Sequence, residues 1–157
     1  MYSKILLAMD SSKTAFRAAE KAVQLKKQWK SEVVAFHSIE HHMIPQEIPL
    51  SLPVNNTYSY GIPAEVYNEI EEAHIDRGKK ILSDIEDLFQ KANLEIETRL
   101  VRDKKPAKYI LDVIKDEGFD LVVLGCKGSH SKLETILLGT VAEKVVNKGT
   151  TDTLIVR

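Results

Sequence analysis

The stretch Asp120-Leu121-Val122-Val123-Leu124-Gly125-Cys126-Lys127-Gly128 decides the fold of this chain. Its short apolar run predicts a buried strand, and the glycines that follow predict a turn whose backbone can approach an anion with no Cβ in the way. Further along, Gly139-Thr140 opens a segment with helical apolar spacing. A helix start offers unpaired N–H groups and a partial positive charge. Strand, glycine turn and helix start together predict a phosphate-binding cradle in an α/β protein.

The totals of the sequence limit the class of protein. A chain of 157 residues is long enough for one domain with a substantial core. The net charge of −1 argues against nucleic acid as a partner, and the single cysteine excludes an internal disulfide and favours a reducing compartment. No apolar stretch approaches the roughly 20 residues of a membrane span, and the start has no signal-peptide pattern. We predict a single cytoplasmic domain over residues 1–157, with neither a membrane nor a nucleic acid as partner.

Short β-like runs alternate with helical patterns along the chain. Strands are predicted at 4–9, 32–38, 94–100, 120–124 and 153–156; between them lie a helix containing Ala15 to Trp29, one from Ala64 to about Ala92, one from Pro106 to Gly118 and one from Thr140 to Gly149. The first and fourth strands are continuously apolar, as in a parallel sheet covered on both faces, whereas the third alternates with charges and is expected near an edge. The sequence therefore predicts a doubly wound α/β fold with an open five-stranded parallel sheet.

Residues 41–63 interrupt this alternation. They contain Pro45, Pro49, Pro53, Pro63 and the tyrosines Tyr58 and Tyr60. We predict a long irregular loop here. It is either a functional lid or partner surface, or a tolerated insertion, and the sequence favours neither.

The candidate site follows from the predicted sheet. In open parallel sheets, ligands bind beyond the carboxyl ends of the strands, where the strand order reverses. This places Met9 to Ser11 and Gly125 to Gly128 at the site. Asp10 has two interpretations, an acceptor toward a ligand or metal ion, or the N-cap of the next helix, and the sequence favours the N-cap.

Two capping-box patterns follow the glycines. Ser131 with Glu134 and Thr140 with Glu143 each combine a hydroxyl with a glutamate three residues later. A triphosphate between the glycine turn and the Thr140 helix start would meet several N–H donors and a hydroxyl. Lys127 is a further candidate for the same anion.

The cysteine and the histidines give weaker signals. Cys126 lies in the glycine turn, where a redox role and a small filler residue are both open, and the absence of a second cysteine favours the filler. His37 ends a predicted strand and is expected to be packed and hydrogen-bonded rather than a base. His41-His42 and His74 lack the partner residues of a zinc site.

The chain resembles the universal stress protein family over nearly its whole length. The resemblance rests on Lys4 to Ser12, His37, Pro106 to Leu111, Phe119 to Gly125 and, most specifically, Ile136 to Val146. Members of that family have a parallel sheet in the order 3-2-1-4-5 and usually form homodimers. One branch binds ATP through Gly-x-x-Gly, nine residues, then Gly-Ser or Gly-Thr. The resemblance implies an ATP-binding regulatory protein of the stress response, and leaves open whether Mg²⁺ accompanies the ATP.

The resemblance also implies which residues contact the nucleotide. The phosphate contacts would be Gly125, Gly128, Gly139, Thr140 and the Val141 backbone, and the adenine and ribose contacts would be Ala8, Met9, Asp10, the Ser38 backbone and Leu124. The chain departs from the family in its spacer, Ser129 to Leu138, which has one residue more than the family's nine. One extra residue shifts a loop by up to ~3.5 Å or is absorbed in a bulge. A second departure is Asp103-Lys104-Lys105-Pro106, where relatives often have a glycine before the proline.

The end of the chain predicts a partner. The last strand, Thr153, Leu154, Ile155 and Val156, is expected to pair with its copy in a homodimer. Two alternatives stay open: a nucleotide-free interaction module of the same fold, acting through the dimer and residues 41–63, and a slow ATP hydrolase. No Gly-x-Ser-x-Gly elbow, P-loop or paired carboxylates are found for the crevice, so no catalytic residue is assigned and a dedicated enzyme is the weaker hypothesis.

Overall fold

The structure, a computed structural model, describes residues 1–39, 47–51, 57–61, 64–102, 104–127 and 138–157. In chain order the elements are β1 (Lys4–Ala8), α1 (Lys13–Trp29), β2 (Glu32–Ile39), β3 (Glu47–Ser51), β4 (Thr57–Gly61), α2 (Ala64–Lys91), β5 (Glu97–Arg102), α3 (Pro106–Asp116), β6 (Leu121–Gly125), α4 (Thr140–Lys148) and β7 (Asp152–Val156). Within the described ranges, none of the helices is both long and apolar enough to cross a membrane.

Five strands form one parallel sheet in the order β5-β2-β1-β6-β7. Counted along the chain within this sheet, the order is 3-2-1-4-5, so the doubly wound α/β fold and the predicted strand order are confirmed. The charged third strand of this sheet, β5, lies at an edge, as its alternation predicted.

Residues 41–63 contain regular structure that the sequence did not predict. Strands β3 and β4 pair antiparallel in a separate two-stranded sheet, with Glu47 opposite Gly61 and Pro49 opposite Ser59. The prediction of an irregular loop is therefore wrong for these two segments. A strand in a two-stranded sheet has one free edge, which tolerates a proline, and the alternating tyrosines of β4 are typical strand residues.

The core has two layers, one on each face of the sheet. Alternate residues of β1 belong to different layers: Ile5 and Leu7 pack beneath α1 and α2, while Leu6 packs on the opposite face with residues of α3 and α4. All three side chains are fully buried. This is why the apolar run of β1 is continuous rather than alternating.

Small residues allow α1 to lie close to the sheet. Ala15, Ala18, Ala19 and Ala22 form its buried face. At the end of β6, a Cβ added to Gly125 would lie 2.6 Å from the Thr14 hydroxyl oxygen and 2.7 Å from the Ala15 nitrogen. The glycine is therefore needed for the contact between β6 and the first turn of α1.

A network of charges joins β5, α3 and β1. The guanidinium of Arg99 contacts Glu117 at 2.7 Å and Glu97 at 2.6 Å, and the Lys4 ammonium lies 3.8 Å from Glu117. Hydrogen bonding from Arg99 lowers the pKa of the Glu117 carboxyl, and the same bond raises the pKa of Arg99. The network ties an edge strand to the end of α3.

This lowered pKa gives a pH-dependent prediction. An ionised Glu117 stabilises the fold above the pKa of an unfolded glutamate, about 4.3, and the contribution is lost as pH falls through the lower folded pKa. Glu117→Gln should therefore reduce the free energy of unfolding by about 1 kcal/mol near neutral pH, with the gap to wild type closing in acid. Urea denaturation across this pH range measures the gap. Glu20→Gln, an exposed change on α1, is the control, and a gap that persists at low pH would contradict the prediction.

Gly125 gives a second prediction. Gly125→Ala forces the new methyl group against backbone atoms of α1, so we expect a loss of about 1–3 kcal/mol of stability. Thermal and urea unfolding measure it. Adding Thr14→Ala should restore only part of the loss, since the Ala15 nitrogen stays in place. An unchanged unfolding midpoint in Gly125→Ala would show that α1 and β6 are not in close contact.

Candidate functional site

A cavity of about 150 Å³ lies at the carboxyl ends of β1, β2 and β6, beside the first turn of α4. Nine of the ten residues that the family resemblance singled out line it: Ala8, Met9, Asp10, Ser38, Leu124, Gly125, Gly139, Thr140 and Val141. The tenth, Gly128, and nearly all of the long spacer lie outside the described residues. The structure thus brings distant parts of the chain to one place, while their role as nucleotide contacts stays a prediction.

On one side, the cavity is bounded by the ends of β1 and β2. The Met9 N–H donates to the Phe36 carbonyl at 2.9 Å, and His37 Nδ1 donates to the Met9 carbonyl at 2.8 Å. The expectation that His37 is a packed, hydrogen-bonded histidine is confirmed. The Ser38 hydroxyl donates to the Lys104 carbonyl, which ties β2 to the loop before α3.

The turn after β1 differs from the sequence prediction. Ser12, not Asp10, is the N-cap of α1, since its hydroxyl accepts from the Ala15 N–H at 3.1 Å. Asp10 lies two residues earlier, and its carboxylate accepts the Ser12 N–H at 2.8 Å. The favoured N-cap interpretation of Asp10 is therefore wrong. Its carboxylate shapes the turn at the cavity wall instead.

A long-range contact also holds this turn. Arg77 of α2 donates to the Ser11 hydroxyl at 3.0 Å. The sequence did not predict a role for Arg77, because nothing local marks an exposed arginine in a long helix as a partner for a residue 66 positions away.

The opposite side of the cavity is formed by the start of α4. Gly139 is its N-cap and Thr140 its first residue, with no side-chain cap, so the predicted Thr140 capping box is wrong. The Gly139 N–H donates to the Cys126 carbonyl at 2.7 Å, and the Cys126 N–H donates to the Val156 carbonyl at 2.8 Å. The first bond fixes the start of α4 against the residue after β6, and the second joins that residue to β7. The position of Gly139 as the cap follows from this attachment.

This arrangement leaves backbone donors at the cavity. The first internal bond of α4 runs from the Glu143 N–H to the Gly139 carbonyl. The N–H groups of Thr140, Val141 and Ala142 therefore have no carbonyl partner within the helix, and all three residues line the cavity. Such N–H groups, with the helix dipole, favour an anion.

The residues that follow β6 are held in place next to this wall. The Thr14 hydroxyl donates to the Lys127 carbonyl at 2.7 Å, which anchors the beginning of the glycine turn to α1. Lys127 itself lines the cavity. Cys126 is only 5% exposed, as expected of a small filler residue at this junction.

The cavity has two chemically different ends. Ala8, Met9, Phe36 and Leu124 provide apolar surface, while the α4 side provides N–H donors and Lys127. Among the residues that the structure describes, no group of three or more His, Cys, Asp or Glu side chains is placed to hold a metal ion. A ligand with an apolar part and an anionic part would match this distribution.

Comparison with known proteins places the chain in a family. The sequence pattern of the universal stress protein family matches residues 1–157. Universal stress protein YxiE of Bacillus subtilis is 29% identical over 157 residues, covering 100% of both chains. The solved structure of protein MJ0577, from Methanocaldococcus jannaschii, has a TM-score of 0.80 at 26% identity, covering 99% of this chain and 96% of the other.

Two further solved structures hold nucleotides. One is a universal stress protein in complex with cAMP, with 21% identity, a TM-score of 0.65 and coverage of 99% of this chain and 97% of that one. The other is the universal stress protein of Archaeoglobus fulgidus in complex with dAMP, with 22% identity, a TM-score of 0.64 and coverage of 99% and 98%. At this identity the likeness shows a shared fold. With a family match over every residue and the strand order and crevice described above, this chain belongs to the universal stress protein family.

Proposed function

We propose that this protein binds an adenine nucleotide, ATP, in the crevice between β1 and β6, and acts as a homodimeric regulatory protein of the stress response. The observation that supports it most is the convergence of nine predicted contacts on one cavity, from parts of the chain as far apart as Ala8 and Val141. Relatives of the same fold in complex with cAMP and dAMP support the adenine nucleotide as the ligand class.

The residues present fit such a ligand. The unpaired N–H groups at the start of α4, together with Lys127, would bind the phosphates, because an N-terminal helix turn and a cation both stabilise negative charge. Ala8, Met9 and Leu124 provide apolar contact for the base. The Asp10 carboxylate is an acceptor for a ribose hydroxyl. If Mg²⁺ accompanies the ATP, it would neutralise phosphate charge; the described residues offer it no acidic cluster.

Two alternatives remain as hypotheses. A nucleotide-free interaction module of the same fold is favoured by the longer spacer and by the separate β3–β4 hairpin. Slow ATP hydrolysis would require magnesium-dependent phosphate release above the background of a binding-deficient variant. Titration of nucleotide into wild-type protein and binding-site variants distinguishes the interaction module from the ATP-binding proposal.

The first experiment removes one backbone donor. Thr140 occupies the first position of α4, and Gly139 before it is extended (φ −72°, ψ 159°), so a proline at position 140 is compatible with the helix. Thr140→Pro should weaken ATP binding by about tenfold and leave adenosine binding unchanged, since only the phosphates lose an N–H donor. Calorimetric titration with protein unfolded and refolded to remove carried-over ligand measures both.

Thr140→Ala is the matched control, because it removes the hydroxyl and keeps the N–H. If only Thr140→Pro weakens ATP, the backbone donor binds the phosphates. If both variants weaken it equally, the hydroxyl does. No heat and no thermal shift with wild-type protein at millimolar ATP would overturn the nucleotide proposal in favour of the interaction module.

The position of β7 at the edge of the sheet, as far as the described strands go, supports the homodimer proposal. The Val156 carbonyl accepts from the Cys126 N–H, so the backbone N–H and C=O of Val156 point toward β6. Because these groups alternate in direction along a strand, those of Thr153 and Ile155 point to the open edge. Unpaired edge groups on an apolar strand favour pairing with a second copy.

Light scattering tests the dimer. We expect a mass near 35.4 kDa, twice the 17.7 kDa chain. Thr153→Pro removes an outward N–H without breaking the bonds to β6, and should shift the protein to a folded monomer. A wild-type mass near 17.7 kDa, or a Thr153→Pro protein that stays dimeric, would refute this interface.

A further inference from the structure

Strand β2 ends beside the cavity with a residue whose backbone faces the crevice. In a parallel ladder, the N–H and C=O of alternate residues point to the same neighbouring strand. The backbone N–H and C=O of Phe36 point toward β1, since the Phe36 carbonyl accepts the Met9 N–H. Two residues later, the N–H and C=O of Ser38 face the same side, where β1 has already ended.

The next rung of this ladder would run from the Ser38 N–H to the Met9 carbonyl. The pairing of β1 with β2 instead ends at Ala8 opposite Phe36. The Met9 carbonyl accepts from Nδ1 of His37 at 2.8 Å, and because a carbonyl only accepts, this ring nitrogen carries the hydrogen. The imidazole thus donates to the Met9 carbonyl in place of the Ser38 N–H.

Ser38 consequently presents its backbone to the cavity. Ser38, His37 and Met9 all line it. The Ser38 hydroxyl points elsewhere, since it donates to the carbonyl of Lys104 in the loop before α3. What remains at the crevice is a main-chain donor beside a main-chain acceptor.

The imidazole lies close to a glycine in the middle of α2, Gly78, which leaves room for the ring. A Cβ at Gly78 would lie 2.9 Å from His37 Cδ2 and 2.6 Å from Leu100 Cδ1. Glycine in a helix interior is less stabilising than alanine. Here it lets the buried face of α2 contact the ring that bonds Met9.

We propose that His37 is a positioning residue for recognition of the base. By occupying the Met9 carbonyl, it keeps the Ser38 N–H and C=O unpaired, as a donor and acceptor for the edge of adenine. This rests on the nucleotide site proposed above. Adenine presents its amino group beside a ring-nitrogen acceptor, whereas hypoxanthine has a carbonyl oxygen in place of the amino group. The Ser38 N–H and C=O are therefore complementary to the base of ATP but not to the base of ITP.

Three variants test the proposal. His37→Phe keeps a ring but removes the donor, so the Ser38 N–H should take over the Met9 carbonyl. His37→Asn keeps an N–H donor near the position of Nδ1. Gly78→Ala displaces the ring without altering its chemistry, and serves if His37→Phe does not fold. His74→Phe and Lys79→Ala, both exposed on α2, are the matched controls.

Two measurements are made on each protein. NMR gives the rate at which the Ser38 amide exchanges with water in the absence of nucleotide, and calorimetry gives the ratio of ATP to ITP affinity. We expect His37→Phe and Gly78→Ala to slow Ser38 exchange and to reduce the ATP preference, each by about tenfold. His37→Asn should retain both properties, and the controls should match wild type.

Two results would overturn the proposal: unchanged Ser38 exchange in His37→Phe, or equal impairment of His37→Asn and His37→Phe, which would assign the effect to ring packing. The amide measurement needs no ligand. If wild-type protein binds no ATP, the proposed function fails, and Ser38 exchange still decides whether His37 controls this backbone pair.

Discussion

The central strand β1 is the constraint on which the structure depends. It is bonded on one edge to β2 and on the other to β6, and its side chains are buried on both faces. The middle of a strand enclosed in this way, here Ile5 to Leu7, has no room for polar side chains. Its polar groups therefore lie at its two ends, with Lys4 in the charge network at the start and Met9 and Asp10 beside the cavity at the carboxyl end. The position of the site follows from the burial of the strand that leads to it.

The direction of the chain after each strand then creates the crevice. After β1 the chain enters α1, whose alanine face packs on one side of the sheet, whereas after β6 it reaches α4, which packs on the other. Two neighbouring parallel strands whose connections leave on opposite faces separate at their carboxyl ends. Elements still pack closely around this opening, and two glycines make this possible because they have no side chain. Gly125 lets β6 contact the first turn of α1, and Gly78 lets α2 contact the His37 ring.

Main-chain groups form much of the cavity wall. The start of α4 contributes N–H groups, and the ends of β1 and β2 contribute carbonyl and N–H groups, each held by bonds to a neighbouring element. Backbone geometry depends on the fold more than on the identity of the side chains. Two members of the family can therefore share this architecture at 26% identity, as the TM-score of 0.80 with MJ0577 shows. In this chain, His37, Cys126 and Gly139 hold the main chain in place around the cavity.

Much of the fold and most of the candidate site could be predicted from the sequence, and the wrong predictions have a common cause. The hairpin of β3 and β4 is hard to predict because prolines in and around short strands are typical of loops. Which segments pair with each other is seen only in the folded structure. Asp10 and Thr140 each suit a helix cap locally, which is why the sequence favours them there. The real caps, Ser12 and Gly139, depend on where α1 and α4 are held by β6.

The sequence by itself determined the alternation of strands and helices, the two-faced burial of the sheet, the helix start at Pro106 and the position of Gly125 at the end of a buried strand. Each of these depends on local periodicity or on the backbone preferences of single residues. Only the tertiary structure decided that Arg77 meets Ser11, that Gly78 makes room for His37, and that Met9 bonds an imidazole instead of the next rung of the sheet. These contacts join residues far apart in the chain, and no local pattern encodes the distance between two elements before they pack.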